Sequence, residues 1–224
     1  AGAAILGATL IGIPLGVYAG YRPNAVASRA IMGLSILGFS VPTFWIGLIL
    51  ILLFAVHLGW LPAGGRGETA VLFGLEWSFL TLDGIKHLLL PALNLSLFRL
   101  ALMIRLARAG MREAILSDYV KFARAQGLSE RKVVAGHVLK NISIPIVTVF
   151  GLELGQIVAF AVVTETIFSW PGMGKLIIDS ITALDRPVMV GYLVLITFLF
   201  IVINLTVDLV YAMLDPRLRR GAPA

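Results

Sequence analysis

From Ala30 to Gly65 the chain carries no Asp, Glu, Lys or Arg, and from Ala1 to Tyr21 it carries none either. Apolar runs of that length have few folded solutions. In hydrocarbon every backbone N–H and C=O must be satisfied within the protein, so a lone stretch crosses as a helix, and about 20 residues span a ~30 Å core. Hydrophobic residues make up 59% of the 224 positions and charged residues 13%, against roughly 25% charged in a soluble domain. The sequence predicts an all-α polytopic membrane protein.

Five transmembrane helices are expected, over 1–21, 31–58, 85–106, 142–163 and 188–213. In the first, Ala4, Ala8, Gly12, Gly16 and Gly20 recur every four residues and offer a smooth face to a neighbouring backbone, with a kink at Pro14. The second tilts around Pro42 and ends at Trp60, an interfacial ring. Gly151, Gly155 and Ala159 give the fourth a second smooth face. Two outside loops are expected at 59–86 and 164–187, the earlier one with a short interfacial helix around Val71 to Leu80. No internal repeat or linker intervenes, so 1–224 reads as a single transmembrane domain.

The one long polar stretch is 105–140, which holds eight of the eighteen basic residues: Arg105, Arg108, Arg112, Lys121, Arg124, Arg131, Lys132 and Lys140. Adding Arg22, Arg29, Arg217, Arg219 and Arg220 puts thirteen on one side, against Arg66, Lys86, Lys175 and Arg186 on the other. The positive-inside rule makes the richer side cytoplasmic, C-terminus included. A net charge of +6 here reflects topology; the bases sit beside apolar spans and lack the interleaved aromatics of a nucleic-acid groove. Five spans ending inside begin outside, and the chain opens within an apolar stretch without an initiator Met, so a further N-terminal segment is expected.

Catalytic chemistry finds no foothold. There is no cysteine, hence no thiolate nucleophile or thiolate metal site. His57, His87 and His137 form no H-E-x-x-H pair, and no G-x-S-x-G elbow occurs. Gly172-Met173-Gly174-Lys175 lacks a phosphate loop's first glycine, where Ser169 stands, and its hydroxyl, where Leu176 stands. No catalytic residue, metal site or bound cofactor is assigned. Intramembrane Arg99 and Glu153 are pathway candidates, since such charges face protein or water; helix contact is an equal reading for Glu153, and Asp208 reads as snorkelling.

Within 105–140, Ser117-Asp118 can cap a helix from Tyr119, Gly127 can end it in a left-handed turn, and Ser129 can cap a second helix running to Lys140. Apolar Tyr119, Val120, Phe122, Val133, Val134 and Val138 stand among the bases. Composition leaves two readings open: a helix pair lying on headgroups, or a knob that docks on a cytoplasmic protein.

Asp118-Tyr119-Val120-Lys121-Phe122-Ala123-Arg124-Ala125-Gln126-Gly127-Leu128-Ser129-Glu130-Arg131, continuing through His137 to Asn141, resembles the EAA loop of ABC-importer permeases in their dipeptide/oligopeptide/nickel form. Glu165 to Gly174 resembles that subfamily's outside-loop signature, and Asn204, Asp208, Tyr211 and Asp215-Pro216-Arg217 its closing pattern. The glutamate of the general motif falls on Lys121 and its distal proline on Lys140, departures that look like the peptide-type subgroup. The resemblance implies a type I importer permease core in a bacterial cytoplasmic membrane.

It also implies partners: cytoplasmic subunits that bind ATP and Mg, a second permease subunit (a related chain or another copy) and an extracytoplasmic substrate-binding protein, all within membrane lipid. Asp118, Tyr119, Phe122, Ala123, Gly127, Leu128 and Arg131 become the ATPase-coupling set. Glu165, Trp170, Pro171, Gly172 and Asp179 become the binding-protein-facing set. Peptides, glutathione, nickel chelates and sugars stay open as solutes. The rival reading is a self-sufficient secondary transporter or channel, which explains spans and intramembrane charges equally well but not so ordered a two-helix loop.

Overall fold

The structure, a computed structural model, describes residues 2–214. The closing pattern at Asp215-Pro216-Arg217 and the basic residues Arg217, Arg219 and Arg220 lie outside the described residues. Nine α-helices are described: α1 (Gly2–Tyr21), α2 (Val26–Ser40), α3 (Thr43–Leu50), α4 (Leu82–Leu116), α5 (Asp118–Ala125), α6 (Glu130–Lys132), α7 (Leu139–Ile167), α8 (Met173–Thr182) and α9 (Arg186–Leu214). Wider π turns follow α3 at Ile51–His57 and join α6 to α7 at Val133–Val138.

Among the described residues, three helices are long and apolar enough to cross a membrane alone: α1, α4 and Arg186–Leu209 of α9. Five spans are reached when α2 with Thr43–His57, and the run from Glu130 to Ile157, are each taken as one broken span. The second span is therefore not one tilted helix. It stops at Ser40 and restarts at Thr43, because Pro42 has no N–H to continue the ladder and pushes Val41 out of helical geometry.

Two further expectations are corrected. The helix placed at Val71 to Leu80 is an antiparallel hairpin, β1 (Ala70–Leu72) with β2 (Leu75–Trp77), paired Leu72 to Leu75. Phe73 and Gly74 form its two-residue turn with φ of 55° and 75°, the doubly left-handed geometry that matches strand twist. The polar loop does not begin at Arg105 either, since α4 continues to Leu116. Arg105 stays helical and lays its guanidinium 4.2 Å above the Phe39 ring.

The chain divides into two compact units: Ala1–Ile5, Ser40–Phe98 and Gly155–Phe200 form the first, and Leu6–Phe39, Arg99–Leu154 and Ile201–Ala224 the second. In the first, α3 approaches through Gly47, where a Cβ would lie 3.4 Å from each of Asn94, Ile167 and Phe168. Asn94, fully buried, donates to Thr164 Oγ1 at 3.0 Å.

In the second unit the smooth face of α1 closes on α4. A Cβ added at Gly12 would stand 2.8 Å from Met103 Cβ, at Gly16 2.5 Å from the Ile104 carbonyl oxygen, and at Gly20 2.7 Å from Met111 Cβ. Met103, Ala107 and Met111 then form one ridge of a core that also takes Val120, Ala123, Val133, Val138, Ile142 and Ile146. Gly151 brings α7 against Val207 of α9 in the same way. Gly16→Leu is expected to destabilise the protein by roughly 1–3 kcal/mol through overpacking. A lower thermal midpoint in detergent, with Gly7→Leu (open space at its Cβ) as the unaffected control, checks it.

Candidate functional site

The 105–140 loop resolves into the end of α4, a bend at Ser117, helix α5, a turn at Gly127 and the helical run that starts with α6. Eight residues are too few for a helix to stand alone in water, so α5 owes its place to packing. Val120 and Ala123 are 0% and 3% exposed and enter the α4 core. On its outward side Tyr119 is 37% and Phe122 65% exposed. Asp118 is exposed and accepts from Lys121 Nζ at 2.8 Å, which holds its carboxyl below the usual carboxylate range.

The expected caps form differently. Ser117 and Ser129 occupy the cap positions, but neither side chain bonds the helix it precedes; Ser117 Oγ donates backward to the Ala114 carbonyl. Gly127 does adopt the left-handed conformation, φ 78°, with open space where a Cβ would sit. Leu128 N donates to the Ala123 carbonyl across that turn at 3.3 Å.

Of the expected coupling set, Asp118, Tyr119, Phe122 and Arg131 are exposed. Ala123 is in the core and Leu128 is half-buried against it, so these two shape the loop from inside and do not present a contact surface. Residue periodicity hid this, because an alanine suits either face of a short helix.

A group that sequence reading passed over joins the pieces. Glu130 accepts from Arg124 Nε at 2.8 Å and Nη2 at 3.2 Å, and from the Tyr21 hydroxyl at 3.3 Å. The bidentate Arg124 holds the Glu130 carboxyl low, and Glu130 in turn raises Arg124. A lowered carboxyl keeps its tie above the ordinary carboxylate range and loses it as pH falls through the folded value, so both Asp118 and Glu130 stay charged near neutrality. The only sequence signal was an Arg and a Glu six apart around a glycine.

In the 164–187 loop, α7 runs to Ile167 and the chain turns through Phe168 to Gly172 into α8. Glu165 points into that turn. Its Oε2 accepts from Gly174 N at 2.7 Å and Lys175 N at 3.1 Å, a carboxylate at the positive end of α8. Gly172 is what lets it in, since a Cβ there would meet the Glu165 carboxylate. Lys175 Nζ reaches Asp179 at 2.6 Å on the exposed face of the same helix.

Trp170 and Pro171 line a cleft of about 270 Å³ with Arg66, Glu76, Trp77 and Phe79 of the hairpin region. Arg66 braces that hairpin: it donates to Ser78 Oγ at 3.1 Å and to the Glu76 carbonyl. Gly65 N donates to the Phe168 carbonyl at 2.9 Å, tying the hairpin's base to the turn. Thus Trp170 and Pro171 meet a second loop, whereas Glu165 and Gly172 build the turn itself.

The pathway candidates are brought together. Arg99 Nε lies 3.3 Å from Glu153 Oε2, with side chains 3% and 8% exposed. Each charge has its counter-charge within the subunit.

Residues 12–220 match the family described as binding-protein-dependent transport system inner membrane component. The chain belongs to that family. It is 42% identical to the di/tripeptide transport system permease protein DppB of Pseudomonas aeruginosa, over 97% of this chain and 68% of the relative. The dipeptide transport system permease protein DppB of Escherichia coli K12 is 37% identical over 96% and 68%. The oligopeptide transport system permease protein AppB of Bacillus subtilis is 40% identical over 94% and 65%. A structure of the inward-facing MetNI methionine ABC transporter superposes with a TM-score of 0.69 at 17% identity, covering 95% of this chain and 89% of that one, a likeness of fold. The permease is a multi-pass membrane protein, and its matches are transport proteins.

Two outcomes are expected of permease variants. Glu165→Gln loses a charged acceptor for two backbone donors, worth roughly 1.5–3 kcal/mol each way; limited proteolysis should cut the 168–175 turn faster while the β hairpin stays resistant. For the buried pair, Glu153→Leu leaves Arg99 without its carboxylate and is expected to cost roughly 3–5 kcal/mol, while Arg99→Met with Glu153→Leu costs less. Thermal unfolding of the two single variants and the double variant in detergent measures the difference.

Proposed function

We propose that this permease is the channel-forming subunit of an ATP-driven importer for di- or oligopeptides or similar small solutes. Its α5–Gly127–α6 loop receives the movement of a cytoplasmic ATP-binding subunit and converts it into alternating access of a permease pair. ATP and Mg are bound by that partner subunit, and the C-terminus lies on the same cytoplasmic side. The observation that carries the reading is the split personality of α5. Val120 and Ala123 anchor it to α4, while the exposed aromatics Tyr119 and Phe122 stand outward beside Asp118 and Arg131. Exposed aromatics would also suit a helix pair resting on headgroups; membership of the binding-protein-dependent transport family is what favours docking on a protein partner.

The peptide class is supported by the relatives' names and by the Lys121 and Lys140 departures from the general loop motif. On the outside, Trp170, Pro171 and exposed Asp179 face a substrate-binding protein, and the hairpin beside Trp170 extends that surface. The partner permease is a related chain.

Gly127 gives the test. Gly127→Val forces a β-branched residue to positive φ, whereas Gly127→Asn tolerates it. With open space around the position, the difference between them reports backbone strain alone. In proteoliposomes of the whole transporter, Gly127→Val is expected to lose ATP-driven uptake at least ten-fold (a ~1.4 kcal/mol effect) with insertion intact, and Gly127→Asn to keep most of it. Uptake that proceeds without any co-purifying ATPase would favour the secondary transporter.

A further inference from the structure

We infer that Glu130 is a positioning residue: it sets the angle of α5 and passes α5's displacement to two membrane spans at once. The inference rests on the coupling role proposed for the loop. Three elements converge on its carboxylate. Arg124, in the last turn of α5, grips it through two nitrogens; Tyr21, the last residue of α1, donates its hydroxyl; and Glu130 itself opens the helical run that continues through Val133–Val138 into α7.

The surroundings make this tie matter. The turn between α5 and α6 is a glycine with open space where a Cβ would sit, so the angle is held by the core packing of Val120, Ala123 and Val133 on one side and by the Arg124–Glu130 pair on the other. A bidentate guanidinium–carboxylate pair closes that turn with directional bonds that a flexible ammonium could not supply. On the other side, α1 and the run from Glu130 both line an open groove of about 580 Å³ whose walls include Ile13, Val17, Val134 and Leu139. The Tyr21–Glu130 bond bridges its edge.

Both partners are partly exposed, with side chains 39% and 47% accessible, so the effect of each is modest. Breaking such a pair is worth about two- to five-fold. The expected pattern separates the two arms. Glu130→Gln loosens α5 and lowers solute moved per ATP two- to five-fold; Glu130→Asp recovers part; Arg124→Glu with Glu130→Arg restores the pair and recovers at least half. Tyr21→Phe leaves α5 ordered and lowers the same ratio, because only the link to α1 is cut.

Two measurements decide it. The first is uptake of labelled Ala-Ala per ATP hydrolysed, in proteoliposomes of the complete transporter with its binding protein. The second needs no transport. The chain has no cysteine, so spin labels at Arg112→Cys and Ala125→Cys, both exposed, report the α4–α5 distance cleanly. Glu130→Gln is expected to broaden that distribution and the charge-swapped double variant to narrow it again. An unchanged distribution with Glu130→Gln overturns the positioning role, as does an unchanged ratio. Wild-type protein that shows no ATP-dependent uptake of Ala-Ala overturns the dipeptide assignment instead, and the distance measurement still judges the tie.

Discussion

The ridge of Met103, Ala107 and Met111 on α4 is the surface on which the second unit is assembled. From one direction α1 lays Gly12, Gly16 and Gly20 against it, so that backbone meets side chain without an intervening layer. From another, the short loop helices set Val120, Ala123, Val133 and Val138 upon it. Neither arrival is stable by itself: α1 gains nothing from hydrophobicity in lipid and depends on close packing, and α5 is too short to hold its shape. A single helix that runs from the apolar interior into the polar loop therefore organises both, and leaves the aromatic side of α5 facing outward.

The loop between α7 and α9 follows a different rule. There the organising group is a charge, Glu165, whose carboxylate satisfies two amides that α8 cannot pair within itself. Its position in the Glu165 to Gly174 motif concealed an inward task, and Gly172 is the space reserved for it. What remains on the surface is the rim formed by Trp170 and Pro171 with the hairpin, and the exposed face of α8.

Much of the membrane architecture was legible because its signals are local. Absence of charge marks α1, a four-residue period of small side chains marks its packing face, and Gly127 marks its own turn. The misses share a cause: each depended on a distant or ambiguous neighbour. Arg105, Arg108 and Arg112 looked like the start of a loop, but a helix carries cations well enough when a ring such as Phe39 lies beneath one of them. The hairpin was hidden because a phenylalanine is an unusual choice at positive φ. Arg99 and Glu153 are 54 positions apart, and nothing in either neighbourhood names the other. Glu130 was read as part of a motif, while its partners lie six and 109 residues away.

The π turn at Val133–Val138 carries a consequence of its own. Val133 and Val138 are both fully buried although five residues apart, a separation that an α-helix would splay by about 140° at 3.6 residues per turn. Pairing i with i+5 stacks them on one side. The wide turn acts as a phase shifter between the loop and the membrane: it sets which way Glu130 points relative to the side chains of α7. Removing one residue from it would leave the two valines four apart, a separation of about 40° at α-helical pitch, so an ordinary α-helix could then hold both on the core side and the wide turn would close.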